Sequence, residues 1–139
     1  MMADHETALA RLNEELTRPP FHQVLRPRAV DVDIQKNMVT IALEYRDELA
    51  RTPGEKTFHG GVIAAFADLA GHAAVAIKIG KMAPTIDLRI DYLRPVDASA
   101  LTAVATLIQA GRSVARVDVE ITDSRGRKIA LSRGAYSTI

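Results

Sequence analysis

Two glycines and an aspartate within one apolar segment are the residues of this chain best suited to chemistry. Gly60 and Gly61 follow His59 at the start of a segment whose apolar spacing predicts a helix over residues 60–79. Glycines in a first helical turn carry no side chains and leave backbone N–H groups free where the helix dipole is positive. Such a turn can receive an anion or a developing oxyanion. The alternative is that the two glycines only allow a tight entry from loop to helix.

The aspartate, Asp68, lies two turns into the same predicted helix. Its neighbours in sequence are alanine and leucine, including Ala67 and Leu69. An ionised carboxylate in apolar surroundings is costly unless it is paired or used, so Asp68 is a candidate for acid–base chemistry. The alternative is a structural pairing with His72, four residues on, or with an arginine of another strand. One Asp and one His lack a third ligand, so a metal site is not predicted.

Basic residues near predicted turns are a weaker signal for ligand binding. Planar guanidinium groups suit phosphate, so these arginines could hold the phosphates of a nucleotide-like ligand. Ordinary solvated charge in a turn is the alternative for any one of them. The candidates are Arg94, Arg112, Arg125 and Arg127.

The composition restricts the class of function. A chain of 139 residues predicts one domain, residues 1–139, and its 47% hydrophobic and 25% charged residues are typical of a soluble globular protein. A net charge of +1 and the absence of tryptophan argue against nucleic-acid binding. The chain has no cysteine, which excludes disulfides, a thiolate zinc site and a cysteine nucleophile. A serine hydrolase is not supported, because no Gly-x-Ser-x-Gly elbow occurs.

The apolar segments do not indicate a membrane protein. Residues 1–11 carry mixed charges and no apolar core, so they do not predict a signal peptide. Residues 62–79 are about long enough to span a bilayer, but they contain Asp68, His72 and Lys78. A mid-segment aspartate is expensive in lipid, which favours a buried helix in a cytoplasmic protein.

The elements that must position the candidate residues follow from hydrophobic periodicity. Apolar residues spaced by three and four predict a short N-terminal helix with Asp4 as its N-cap, ended by Pro19 and Pro20. Alternation over residues 30–34 and 39–45 predicts a hairpin, and residues 47–56 form a loop. The segments 86–92, 101–108, 117–121 and 129–136 predict further strands.

This order of elements predicts an α+β fold with an antiparallel sheet, because tight turns join neighbouring strands in antiparallel pairs. The segment 60–79 is apolar on every face, which predicts a helix buried on every side and wrapped by the sheet. Such a sheet leaves an outer face and edges, and a second copy of the chain can cover them.

At this point the sequence resembles the hotdog-fold thioesterases of the phenylacetate-degradation type, from about residue 30 to the C-terminus. The likeness depends on His59-Gly60-Gly61 with Asp68 nine residues after the histidine, on residues 85–95, and on residues 126–135. The resemblance implies one long helix wrapped by an antiparallel sheet, assembled as dimers and often as dimers of dimers. It also implies hydrolysis of acyl-CoA at the dimer interface, with CoA as part of the substrate and neither metal nor organic cofactor.

The resemblance also implies roles for individual residues. The backbone N–H of Gly60 polarises the thioester carbonyl, and Asp68 of the opposing subunit acts as general base on water or as nucleophile. The hydroxyl of Thr85 helps to place water, and His59 orders the loop. The substrate-binding residues expected beside them are Phe58, Gly61, Arg94 and Arg112.

One departure from the family leaves rival functions open. Many members carry an Asn or Gln shortly before the His-Gly-Gly motif, whereas residues 51–58 contain neither. The leading hypothesis is a thioesterase acting on a short-chain, medium-chain or aromatic acyl-CoA. The rivals are a hotdog hydratase of enoyl- or hydroxyacyl-thioesters that uses His59 with Asp68, and an acyl-CoA-binding module without catalysis.

Overall fold

A computed structural model describes residues 2–139, with the side chains of residues 4–139. Met1, which belongs to the segment where no signal peptide was predicted, lies outside the described residues. Three helices, a single 3-10 turn and six strands follow one another along the chain. In chain order they are α1 (Met2–Thr17), α2 (His22–Leu25), β1 (Arg28–Asp33), β2 (Met38–Leu43), the 3-10 turn Asp47–Leu49, α3 (Gly60–Ile79), β3 (Thr85–Tyr92), β4 (Leu101–Ala110), β5 (Val114–Thr122) and β6 (Lys128–Ser137).

The six strands form one antiparallel sheet in the order β1-β2-β4-β5-β6-β3. Tight turns join β1 to β2 and the strands β4, β5 and β6 to one another, which accounts for most of the antiparallel pairing. The connection through α3 carries the chain across the sheet, so β3 pairs with β6 at the far edge. The predicted α+β architecture with its antiparallel sheet is therefore confirmed.

One face of the sheet packs against α3 because the strands alternate. Every second residue from Leu101 to Leu107 is buried, and the same holds for β5 from Ala115 to Ile121. These inward residues, together with Ile41 and Leu43 of β2, share a hydrophobic cluster with α3. Residues Leu12 and Leu16 of α1 join the same cluster. The core thus lies between the sheet, α3 and α1.

Helix α3 begins and ends where the sequence predicted. His59 has extended backbone angles and forms the N-cap, and Gly80 ends the helix with a left-handed φ of 78°. The N–H of Gly80 donates to the carbonyl of Ala76, a closure that glycine adopts without steric cost. The helix is long and apolar enough to cross a membrane by composition alone, but the sheet and α1 bury much of it.

Two details of the predicted elements are wrong. Helix α1 begins at Met2, so Asp4 lies in its first turn and is not the N-cap. Helix α3 is buried on every side only from Ala73 to Ala76 in its C-terminal half, and Lys78 near its end is exposed. Helix α1 covers that half, while in the N-terminal half Gly61 is exposed and Ala65 is only half-buried. A single chain therefore leaves one side of the N-terminal half of α3 open.

A tyrosine from the last strand fixes the middle of α3 to the sheet. Tyr136 is fully buried, and its hydroxyl donates to the backbone carbonyl of Asp68 at 3.1 Å. The ring occupies space that two glycines leave free: a Cβ on Gly71 would lie 2.2 Å from the hydroxyl, and one on Gly134 would lie 2.8 Å from the ring. Burial raises the pKa of Tyr136, so the hydroxyl stays protonated and remains a donor.

Candidate active site

The first turn of α3 has a specific arrangement of backbone donors. The Nδ1 atom of His59 accepts the N–H of Gly61 at 2.8 Å, and the carbonyl of His59 accepts the N–H of Val62 at 3.0 Å. Within residues 2–139, no hydrogen bond uses the N–H of Gly60. The cap therefore leaves Gly60 as the free donor at the positive end of the helix. The contact made by His59 occupies the N–H of Gly61.

Tyr92, which the sequence did not single out, supports the same turn from β3. Its hydroxyl donates to the carbonyl of Gly60 at 2.7 Å. A Cβ on Gly60 would lie 3.6 Å from the Tyr92 ring, which is ordinary van der Waals contact. The bond joins residues 32 positions apart, so no local pattern could have revealed it.

Asp68 lies half-buried on the open side of α3, and Thr85 holds its carboxylate. The hydroxyl of Thr85, the first residue of β3, donates to Oδ1 of Asp68 at 2.7 Å. Among the side chains of residues 4–139, no other hydrogen bond or ion pair reaches this carboxylate. The alternative pairing with His72 is absent there, because Nε2 of His72 lies 3.2 Å from the N–H of Ala83. The remaining oxygen of Asp68 is thus available to water or substrate.

A cavity of about 220 Å³ adjoins this carboxylate. Ala65 and Leu69 of α3 contribute apolar walls, and Phe21 and Met82 contribute large apolar side chains from the two connecting segments. Phe21 and Met82 are each more than half exposed. The cavity combines an apolar lining with one carboxylate, one hydroxyl and the imidazoles of His22 and His72, which is a common kind of composition for a small-molecule site.

The other predicted substrate-binding residues lie away from this cavity. Phe58 is buried, and its ring packs edge-on against Tyr45 at 5.2 Å between centroids, so its side chain belongs to the core. Arg94 follows the Tyr92 end of β3, whereas Arg112 lies in the β4–β5 turn, near the Thr85 end. Both arginines are exposed, and they flank opposite ends of a strand that is about 25 Å long.

No group of three His, Asp or Glu side chains suited to hold a metal ion occurs in the described part of the chain. Arg125 and Arg127 lie in the β5–β6 turn, and both are exposed. Asp123 accepts the backbone N–H of both residues and pairs with the Arg127 side chain at 2.7 Å. These contacts lower the pKa of Asp123, although burial of the carboxyl opposes them.

Comparison with known proteins identifies the class. A model of the thioesterase superfamily matches residues 55–130, more than half of the chain, and the chain therefore belongs to that superfamily. The medium/long-chain acyl-CoA thioesterase YigI of Escherichia coli K12 is 28% identical over 128 residues, which cover 78% of this chain and 82% of that protein.

Solved structures agree on the fold. An X-ray structure of another thioesterase-superfamily protein matches with a TM-score of 0.89 at 30% identity, covering 96% of this chain and 99% of that chain. The Escherichia coli PaaI protein from the phenylacetic acid degradation operon matches with a TM-score of 0.84 at 23% identity, covering 97% of this chain and 95% of that chain. The hotdog fold is confirmed, and the protein is a thioester hydrolase.

Proposed function

We propose that the protein hydrolyses a short-chain, medium-chain or aromatic acyl-CoA to the free acid and CoA. The observation that carries this proposal is the carboxylate of Asp68, held by Thr85 beside an apolar cavity. The activity of YigI toward medium- and long-chain acyl-CoA supports the choice of an acyl-CoA substrate. The proposal treats residues 1–139 as one hotdog thioesterase domain that acts in the cytoplasm without a metal or organic cofactor.

The chemistry requires a base and an oxyanion donor. Asp68 takes a proton from a water molecule while the oxygen of that water attacks the thioester carbonyl carbon. The carbon–sulfur bond then breaks and releases CoA as a thiolate. The free N–H of Gly60 donates a hydrogen bond to the carbonyl oxygen and stabilises the negative charge that develops on it. If Asp68 attacks directly instead, CoA leaves as a thiolate and a mixed anhydride forms between Asp68 and the acyl group. In single turnover in ¹⁸O-water the label then enters Asp68 if water attacks its carboxyl carbon, whereas the general-base route never labels Asp68.

The spacing of these two groups supports a site built from two copies of the chain. Gly60 and Asp68 are eight residues apart in α3, which is about 12 Å along the helix axis. A single carbonyl cannot reach both groups in one chain, because a hydrogen bond spans only about 3 Å. An antiparallel second copy would bring its own Gly60 to the Asp68 of the first copy.

The surface around the site suits such a partner. Helix α3 presents the small residues Gly61, Ala64 and Ala65 on its open side, where another helix could approach closely. Strand β3 is an edge strand, and Ile86 and Tyr92 on it are both more than half exposed. We therefore include a homodimer, alone or paired into a tetramer, in the proposal.

Arg94 and Arg112 remain proposed ligands for the phosphates of CoA. In a dimer the two residues could lie close together although they are far apart in one chain. They flank opposite ends of β3 in one chain. The same antiparallel arrangement places the Arg94 end of one copy near the Arg112 end of the other. If Arg94 or Arg112 contacts the CoA phosphates, removing its charge should raise KM for acyl-CoA more than it lowers kcat. The reason is that the phosphates lie far from the reacting carbon.

The proposal is tested by measuring thiol release from a panel of CoA esters running from acetyl through long-chain to phenylacetyl and benzoyl. We expect turnover of short-chain, medium-chain or aromatic members, since the cavity beside Asp68 is small and apolar. No release across the panel, with CoA esters still bound, would overturn the proposal. Hydration of an enoyl-CoA would then indicate the hydratase, and binding alone would indicate the non-catalytic module.

A change at Thr85 tests the hydrogen bond that holds the carboxylate. Thr85→Val keeps the shape of the side chain but removes the donor to Asp68. We expect kcat to fall about tenfold, the lower end of what a hydrogen bond to a charged group contributes. Thr85→Ser retains the hydroxyl and should keep most of the activity. If Thr85→Val were as active as the unmodified protein, the hydroxyl of Thr85 would have no part in catalysis.

A further inference from the structure

His72, like His22, is a half-buried titratable residue at the site that the proposed reaction does not use. It lies one turn after Asp68 in α3 and lines the same cavity. Its Nε2 atom lies 3.2 Å from the backbone nitrogen of Ala83, in the connection between α3 and β3. Because a backbone N–H can only donate, Nε2 must act as the acceptor.

This bond fixes the connection just before the site. Ala83 is fully buried, so its N–H needs a partner inside the protein. Thr85 comes two residues later and donates to the carboxylate of Asp68. The ring of His72 therefore anchors the connection to α3 close to the point where Thr85 must meet Asp68.

The surroundings of the ring favour its neutral form. Burial is the largest influence and lowers the pKa of His72, and His22 of α2 and Arg18, which follows α1, lower it further. Two carboxylates oppose them: Glu15 of α1, whose Oε2 lies 4.0 Å from Nδ1, and Asp68 of α3 itself. The net direction is a pKa below the ordinary value, so the ring is neutral and has a free acceptor at neutral pH.

We propose that His72 is a positioning residue whose neutral ring accepts the Ala83 N–H, holds Thr85 against Asp68, and releases the connection when it is protonated. A protonated ring carries hydrogens on both nitrogens and has no acceptor to offer. Activity should therefore be complete above the pKa of His72 and decline as the pH falls through it. This inference depends on the proposed thioesterase function for its kinetic test.

The kinetic test compares two variants across pH. In His72→Gln, the side-chain oxygen can accept the Ala83 N–H and cannot be protonated in this range. We expect kcat of this variant to stay within about threefold of the unmodified value at pH 8. The fall of activity at low pH that is caused by protonation of His72 should disappear, and any fall caused by another titrating group should remain. His72→Leu offers no acceptor, and its kcat should fall about tenfold or more with a smaller change in KM.

The matched control is His5→Gln, which changes an exposed histidine of α1 that bonds Asp31 and lies outside the cavity. Its pH profile should equal that of the unmodified protein. If His72→Gln lost as much activity as His72→Leu, or kept the full acid decline, the proposal would be overturned. Circular dichroism at each pH would show that the variants remain folded.

A spectroscopic test does not depend on catalysis. In the unmodified protein, the chemical shift of the Ala83 amide proton should follow the protonation of the His72 ring, and in His72→Gln it should not titrate. A silent substrate panel with this titration intact would overturn the proposed function but leave the anchoring by His72 standing. An Ala83 amide that ignored the ring would overturn the inference even in an active enzyme.

Discussion

Asp68→Asn is expected to lower turnover of the preferred acyl-CoA by about 10²- to 10⁴-fold, the usual contribution of a general base. Asparagine has almost the same shape as aspartate, and its carbonyl oxygen can still accept the hydroxyl of Thr85. The amide cannot take a proton from water. The loss should therefore appear in kcat and leave the binding of CoA esters almost unchanged. Initial rates of thiol release measure it directly.

Two controls separate this loss from damage to the fold. Asp4→Asn removes an exposed carboxylate in the first turn of α1 and should leave the rate unchanged. Asp68→Ala should also be inactive but should keep its secondary structure and oligomeric state. If Asp68→Ala failed to fold, Asp68 would be a structural residue. If Asp68→Asn retained full activity, another group would have to activate the water.

Gly71→Ala is expected to destabilise the protein, although alanine usually stabilises a helix relative to glycine. Alanine at an ordinary helical position is more stable than glycine by about 1 kcal/mol. At position 71 the added Cβ would lie 2.2 Å from the Tyr136 hydroxyl and 2.9 Å from the ring carbon that carries it, and this side chain is fully buried. Overpacking in a core costs about 1–3 kcal/mol and sometimes more. The substitution of glycine by alanine should therefore lower the stability of this protein, although it raises the stability of an ordinary helix.

Urea unfolding at a fixed protein concentration measures the change, because an oligomer's stability depends on concentration. Tyr136→Phe alone should cost about 1 kcal/mol through loss of the hydrogen bond to Asp68. The double variant Gly71→Ala/Tyr136→Phe should lose less unfolding free energy than the two single variants lose together. The reason is that the closest clash of the added Cβ is with the hydroxyl that Tyr136→Phe removes. A more stable Gly71→Ala protein would show that the ring and helix do not pack as described.

Local signals explain why much of the fold could be predicted. Gly60 and Gly61 mark the start of α3, and Gly80 marks its end. These signals can be read from the sequence because each glycine affects the backbone only of the turn beside it. Alternation marks β4, β5 and β6 because each strand buries one face. The predicted burial of α3 on every side was wrong in its N-terminal half, since composition does not reveal which neighbours a single chain provides.

The contacts that form the site could not be predicted in the same way. Asp68 and Thr85 were each singled out, but the bond between them arises because the connection after α3 returns the chain along that helix. The bonds of Tyr92 with Gly60 and of His72 with Ala83 likewise depend on where β3 lies. Periodicity says which face a residue occupies and not which distant residue it meets.

The apolar character of α3 has a consequence for the synthesis of the protein. The strands β3 to β6, which bury much of this helix, follow it in the chain, so α3 leaves the ribosome before they do. During that interval it has the length and hydropathy of a segment that targeting machinery could direct into a membrane. An aspartate near the middle of such a helix opposes insertion by about 2.5 to 3.5 kcal/mol. Asp68 therefore helps to keep the nascent chain out of the bilayer, a role separate from the chemistry proposed for the finished fold.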